Sequence, residues 1–354
     1  MRTGVAHLLL HGGSCPAWLF PRMKKMAGAI SEIIVYEYGQ DELLRRLSDP
    51  FWFQAFGCVL GFDWHSSGLT TTVTGALKEA LNEANIGVRV AGGKGRTSRK
   101  APEEIVQHSD SMGLSHADRL VYASKLSAKV DNAAVQDSYQ LYHHAFVFTE
   151  NGTWAVVQQG MNASTNYARR YHWFTARDFV DEPHSAICGK QHADVLDMTA
   201  HASGEVREIS VDLVNDGALL AQTSLNDFAG KKMKTLAMHA HHGFTLSEQT
   251  RAALRRAYEI QPKNYEELVA LPGIGPKAVR ALALVSELVY GAEASRTDPA
   301  KFSFAHGGKD GIPYPVDREL MDKNTEMLGN AVRDARLGDE EKIKALRRLH
   351  EFAA

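Results

Sequence analysis

The sequence predicts an α/β or α+β N-terminal domain built on a mixed sheet, followed by an all-α C-terminal domain. Three observations lead there. Apolar residues recur at helical spacing between 17 and 47, two β-rich runs flank an Asn-Gly dipeptide between 140 and 162, and the pattern turns helical from Leu219 onward. The chain has 354 residues, beyond the size at which single cores stop growing, so two domains are expected, 1–218 and 219–354, changing over near 218–232.

Taking the elements in order, Leu19, Met23, Met26, Ile30, Ile33 and Ile34 share a helical face, and a break follows at Tyr38-Gly39. Asp41 is placed to cap a second helix that must end before Pro50. "FWFQAFGCVLGF" is a buried apolar segment compatible with helix or strand, and "DWHSSG" is a polar loop. "LTTTVTGALKEALNEA" reads as a capped helix, "IGVRVA" as a strand and "GGKGRTSRK" as a basic turn. Residues 102–136 look helical, and "ENG" marks a hairpin in "QLYHHAFVFTENGTWAVVQQGM". More β-type sequence is expected over 184–214. Near the C-terminus Ile343, Leu346, Leu349 and Phe352 recur every three residues.

A 44% hydrophobic and 23% charged composition is that of a soluble globular protein. Cys15, Cys58 and Cys188 are widely spaced, so neither a disulfide framework nor a paired-cysteine metal site is indicated. No signal-peptide core and no run of about 20 apolar residues is present, so a cytoplasmic protein with no membrane partner is expected. The formal net charge is −2, yet nine Lys/Arg face five Glu between Lys231 and Tyr290, and Arg89–Lys100 holds five basic residues and no acid. Two local basic surfaces therefore stand on an acidic remainder.

The second of these surfaces contains "LPGIGPKAVRAL", residues 271–282. Pro272 stops one helix, Gly273 and Gly275 permit a tight turn, and Ala278 and Ala281 let a second helix pack closely. The stretch resembles a helix-hairpin-helix element, which implies DNA as partner, RNA being the alternative. Gly273, Ile274 and Gly275 would present backbone amides to a phosphate at a helix start, and Lys277 would add charge. Such binding reads the sugar-phosphate track and not the base sequence. Lys94, Arg96, Arg99 and Lys100 form a second candidate backbone contact. Arg169 and Arg170, interleaved with Tyr171, His172 and Trp173, form a third.

The same element occurs in DNA glycosylases, where the lysine matching Lys277 can form a Schiff base and an aspartate matching Asp317 assists. A long insertion separates the two here, and the helical segment before Leu268 is short for that family. "RTGVAHLLLHGG", "DPFWFQAFGCVLGFDWHSSG", "GGKGRTSRK", "AKVDNAAVQDSYQLYHH" and "WAVVQQGMN" together resemble a prokaryotic domain-of-unknown-function family, number 763, over nearly the whole chain. That resemblance carries no settled catalytic assignment.

Catalytic candidates come from residue type. Lys125, Lys129, Asp131, Asp137, His143 and His144 cluster ahead of the hairpin, and Asp63 and His65 share the "DWHSSG" loop, whose plainer use is helix capping. Carboxylates and imidazoles can hold a divalent ion that activates water, while a lysine offsets charge on a scissile phosphate. The expected activity is phosphodiester hydrolysis with Mg²⁺ or Mn²⁺ held by Asp131, Asp137 and His143. Gln158 and Gln159 stand where a second acidic ligand would be usual. The spacing of His143, Glu150, Gly160 and Asn162 is similar to a phospholipase D-like motif, but Ala145 replaces its lysine. "HAHHG" at 239–243 has metal-ligand character without a cysteine partner. A non-enzymatic DNA-binding module is the main rival, and homo-oligomerisation is left open.

Overall fold

A computed structural model describes residues 8–9, 15–62, 67–217, 246–300, 318–335 and 338–353. The edge strand β1 (Leu8–Leu9) is followed by helices α1 (Phe20–Tyr38), α2 (Gln40–Leu47), α3 (Pro50–Val59) and α4 (Gly68–Glu83), then strand β2 (Val88–Lys94). Helices α5 (Ala101–Met112) and α6 (Ala117–Ala133) lead through β3 (Val135–Gln136) into β4 (Gln140–Thr149), β5 (Trp154–Asn162), β6 (Tyr167–Phe174), β7 (His184–Cys188) and β8 (Leu196–Asp197). Helices α7 (Gly204–Asn215), α8 (Glu248–Ile260), α9 (Tyr265–Ala270), α10 (Pro276–Val285), α11 (Arg318–Asp334) and α12 (Asp339–Ala353) complete the described chain.

The main sheet runs β2-β4-β5-β6, and β1 and β7 share the outer edge of β6. Every described pairing is antiparallel, so the sheet is not the mixed one expected. The hairpin about Glu150-Asn151-Gly152 joins β4 to β5, with Gly152 at φ +83°. Gly92 takes φ +88° where β2 meets β4, and a Cβ there would stand 2.2 Å from the His144 carbonyl oxygen.

Alternation along the strands divides the interior in two. Phe146, Phe148, Trp154, Val156 and Trp173 pack against α5–α10, whereas Val88, Val90, Val147, Ala155 and Val157 pack against α1–α4, α11 and α12. The segment 50–59 proves to be helix: Asp49 accepts from the amides of Phe51 and Trp52, and Trp52, Phe53 and Phe56 become fully buried. Each such ring contributes about 1.5–3 kcal/mol. Gly39, at φ +88°, ends α1 and precedes α2, so Asp41 lies inside the first turn of α2 and is not its cap. Residues 204–215 form a helix and not the β structure expected over 184–214, because Val206, Val211 and Val214 bury one face in the core shared with α8–α10.

The expected domain change at 218–232 lies outside the described residues. Helices on its C-terminal side nevertheless share cores with the sheet: Leu254, Leu268 and Val279 join the cluster of Phe146 and Trp173, and Leu328 and Leu349 join that of Val88. No described helix is long and apolar enough to cross a membrane.

Candidate functional site

Three strands and α6 bring polar side chains into the interior beneath α6. Asp131, fully buried, accepts from Gln158 Nε2 at 2.6 Å and Trp173 Nε1 at 3.1 Å, and its other oxygen lies 2.5 Å from His184 Nε2. Gln158 Oε1 lies 2.8 Å from His144 Nδ1, and His144 Nε2 lies 2.8 Å from Ser124 Oγ. Burial pushes the His144 imidazole below its ordinary pKa, so it is neutral at pH 7.

Farther along the same face Arg169 bridges two carboxylates, Asp137 at 2.9 Å and Asp298 at 2.6 Å. Asp137 also accepts from the Tyr171 hydroxyl at 2.6 Å and the Tyr139 amide at 3.0 Å. Burial opposes charge on Arg169, but Asp137 and Asp298 together raise its pKa. The guanidinium also lies 4.7 Å from the centre of the Tyr139 ring.

The opposite face carries His143, Gln159 and Arg170, which pair across β4, β5 and β6. His143 Nε2 lies 3.0 Å from Thr74 Oγ1 on α4, and Gln159 donates to the Ser67 carbonyl at 2.8 Å and to the Tyr142 hydroxyl. Arg170 sits 4.7 Å over the Phe53 ring. Burial, followed by the neighbouring charges of His144 and Lys94, lowers the His143 pKa to about 3.

The sheet thus separates His143 from Asp131 and Asp137, because residues 143 and 144 point to opposite sides. Both carboxylates are already occupied by protein donors. A divalent ion held jointly by Asp131, Asp137 and His143 does not fit this arrangement, and no described group of three or more His, Cys, Asp or Glu residues could hold one. Arg169 and Arg170 are a clearer correction: both are 0% exposed in β6, Arg169 enclosed by the segments that carry Asp137, Lys190 and Asp298 and Arg170 by α3 and α4, and neither can meet a nucleic acid. Lys129 is half-buried and donates to the Leu271 carbonyl at 3.2 Å, and burial lowers its pKa. It anchors the glycine turn to α6. Asp63, His65, Asp317 and the histidines of 239–243 lie outside the described residues.

Lys125 and Arg99 are exposed, and with Ser124, Tyr142, His143 and His144 they line a pocket of about 270 Å³. Lys94, Arg96 and Lys100 are also exposed, the last two on a 3₁₀ turn over Gly95–Lys100. Sequence reasoning missed Ser124, His184 and Asp298. Ser124 precedes Asp131 by two helical turns, a spacing that places both on one face of α6. His184 and Asp298 carry no local signal.

At the glycine turn Asn264 caps α9 by accepting from the Glu267 amide at 2.9 Å, and Glu267 accepts from Lys263 N at 2.8 Å. Gly273 adopts φ +89°, and a Cβ there would meet Ala253 of α8 at 2.8 Å. The Ile274 side chain is fully buried and pins the turn, and its amide already donates to the Leu271 carbonyl at 3.3 Å, so, contrary to expectation, Ile274 does not present an amide to a phosphate. Gly275 immediately precedes α10 in extended conformation, with nothing within 4 Å of where a Cβ would be. A pocket of about 660 Å³ opens there, lined by Ser247, Thr250, Arg256, Gly273, Gly275 and Lys277. Gln136 fastens this unit to the sheet side by donating to the Pro276 carbonyl at 2.8 Å and accepting from Arg280 at 2.7 Å.

Fold and site together define an α+β protein with an antiparallel sheet, a polar network inside it and a glycine turn on its surface. The family model described as "Protein of unknown function (DUF763)" matches residues 4–316, and the chain belongs to that family. Neither a curated protein nor a solved structure matches it.

Proposed function

We propose that this protein binds nucleic acid, DNA in the first instance, by gripping the sugar-phosphate backbone at the turn 271–277. The observation that carries the reading is the open space before α10. Pro276 at the head of the helix has no N–H, but the amides of Lys277 and Ala278 have no partner within the helix, the helix dipole favours an anion there, and Gly275 leaves room for a phosphate to reach them. Lys277 and Arg256 border the same pocket and supply positive charge. No step is routed through Mg²⁺ or Mn²⁺, since the three expected ligands do not converge.

Fluorescence anisotropy with labelled DNA and RNA across a salt series tests the reading. Affinity is expected to fall as salt rises and to be insensitive to sequence. Lys277→Ala is expected to reduce the slope of log affinity against log salt by roughly 0.9, the value for one phosphate contact. Gly275→Val displaces no packed atom yet fills the space a phosphate needs, so lost affinity with an unchanged melting temperature supports the assignment. Absence of binding by the wild-type protein at 50 mM salt overturns it. Borohydride trapping on abasic DNA tests the lyase alternative at Lys277.

A further inference from the structure

The hydrogen-bond chain from Asp131 to Ser124 has a proton order that its own chemistry fixes. A carboxylate only accepts, so the Gln158 amide turns its NH₂ to Asp131, 2.6 Å away, and its oxygen to His144, 2.8 Å away. His144 must then carry its proton on Nδ1. Its Nε2 is left as a bare acceptor 2.8 Å from the Ser124 hydroxyl. A serine hydroxyl donating to an imidazole whose far nitrogen is held by an anchored acceptor is the geometry that activates serine as a nucleophile.

The pair also has access to a ligand. Ser124 and His144 both line the pocket of about 270 Å³, and Arg99 and Lys125 stand exposed at the same pocket. Two cations beside a nucleophile favour an anionic ester, whose charge they offset as the transition state forms.

We propose that Ser124 is the nucleophile and His144 the general base of a phosphodiester-hydrolysing site, with Gln158 and Asp131 as positioning residues. The substrate class rests on the nucleic-acid reading above, whereas the nucleophilic serine does not. Ser124 Oγ attacks phosphorus while its proton passes to His144 Nε2. The bond from phosphorus to the leaving oxygen breaks, and His144 returns the proton to that oxygen. Water then attacks the phosphoserine ester, giving a proton to His144, and the bond from phosphorus to Oγ breaks as Ser124 regains that proton. One water is consumed, and a phosphomonoester and an alcohol are released.

A fluorophosphonate probe on the full chain tests the serine, and bis(4-nitrophenyl) phosphate tests the substrate class. The wild-type protein is expected to be labelled once, at Ser124 by peptide mass, and to hydrolyse the diester. Ser124→Ala is expected to lose both activities, and His144→Gln to slow labelling by about 100-fold or more. The charged and titratable groups around His144 are Asp131 and Lys125 of α6, His184 of β7, His143 beside it and Arg99. Of these Asp131 raises the His144 pKa, so Asp131→Asn is expected to move the midpoint of the labelling-rate pH profile downward. An unmoved midpoint overturns its positioning role. Unlabelled wild-type protein, or label and turnover that persist in Ser124→Ala, overturns the proposal. Labelling at Ser124 with no DNA or RNA binding would instead overturn the nucleic-acid reading and leave the serine standing.

Discussion

His143 and His144 are neighbours on one strand, yet the two faces of the sheet treat their polar groups differently. Toward α6 His144, Gln158, Asp131, Tyr171 and Trp173 each have named partners for their polar side-chain atoms, and the one orphan among the described side chains of that network is Nε of Arg169. Toward α3 and α4, His143 Nδ1, Gln159 Oε1, His172 Nε2 and Trp52 Nε1 are buried without a partner. A buried unsatisfied polar atom costs about 1–3 kcal/mol. Both faces carry an apolar core, but the polar groups buried in the α6 face are satisfied by one another, while those buried in the α4 face are left short of partners.

The largest effect that can break this contrast is on the α6 face. Arg169→Met leaves Asp137 and Asp298 buried without their shared cation, and breaking a buried pair in this way costs about 3–5 kcal/mol. Urea denaturation is expected to register that loss. A change below about 1 kcal/mol would mean that the ion triad does not hold this face together.

A smaller effect sharpens the other side. His143 has a folded pKa of about 3, against about 6.5 for an unfolded histidine. Below pH 6.5 the unfolded chain binds the proton and the folded chain does not, so stability rises with pH in this window. The contribution is fully present above 6.5 and is lost as pH falls toward 3. His143→Gln is expected to flatten the dependence by about 1.4 kcal/mol per pH unit, roughly 2 kcal/mol between pH 6.5 and 5, relative to wild type. An identical slope in urea titrations at the two pH values would remove His143 from the acid response.

Much of the frame was legible because it is local. Gly39 broke the first helix where the apolar period broke, and Asn151-Gly152 set the hairpin. The β-branched residues of 204–214 misled because tertiary packing on α8–α10 overrides their strand preference. Arg169 and Arg170 misled for a related reason. Cations among aromatics suit a nucleic-acid surface, but what covers a strand is decided by segments distant in sequence, and here Asp298 lies 129 residues from the arginine it pairs with. The same limit hid Ser124, whose partner His144 reaches it from a strand across the core. Among the catalytic candidates, Asp131 and His144 did come together, joined by the glutamine that had stood as an objection to a metal site, and Lys125 lines a pocket with His144.

The smallest effect is also the sharpest discriminator between the faces. His172 is fully buried, its Nδ1 lies 3.1 Å from the Leu47 carbonyl, and its Nε2 has no partner. Its ring meets Phe53 edge-on with centroids 5.5 Å apart, a contact that a phenyl ring can keep. His172→Phe gives up one neutral hydrogen bond, at a cost of about 1 kcal/mol, and removes a desolvated nitrogen whose burial costs a similar amount. The two cancel, so a net change within about 1 kcal/mol is expected by thermal and urea denaturation. A loss of about 3 kcal/mol would show that Nε2 has a bonding partner in solution, and the division between a satisfied face and an unsatisfied one would then fail.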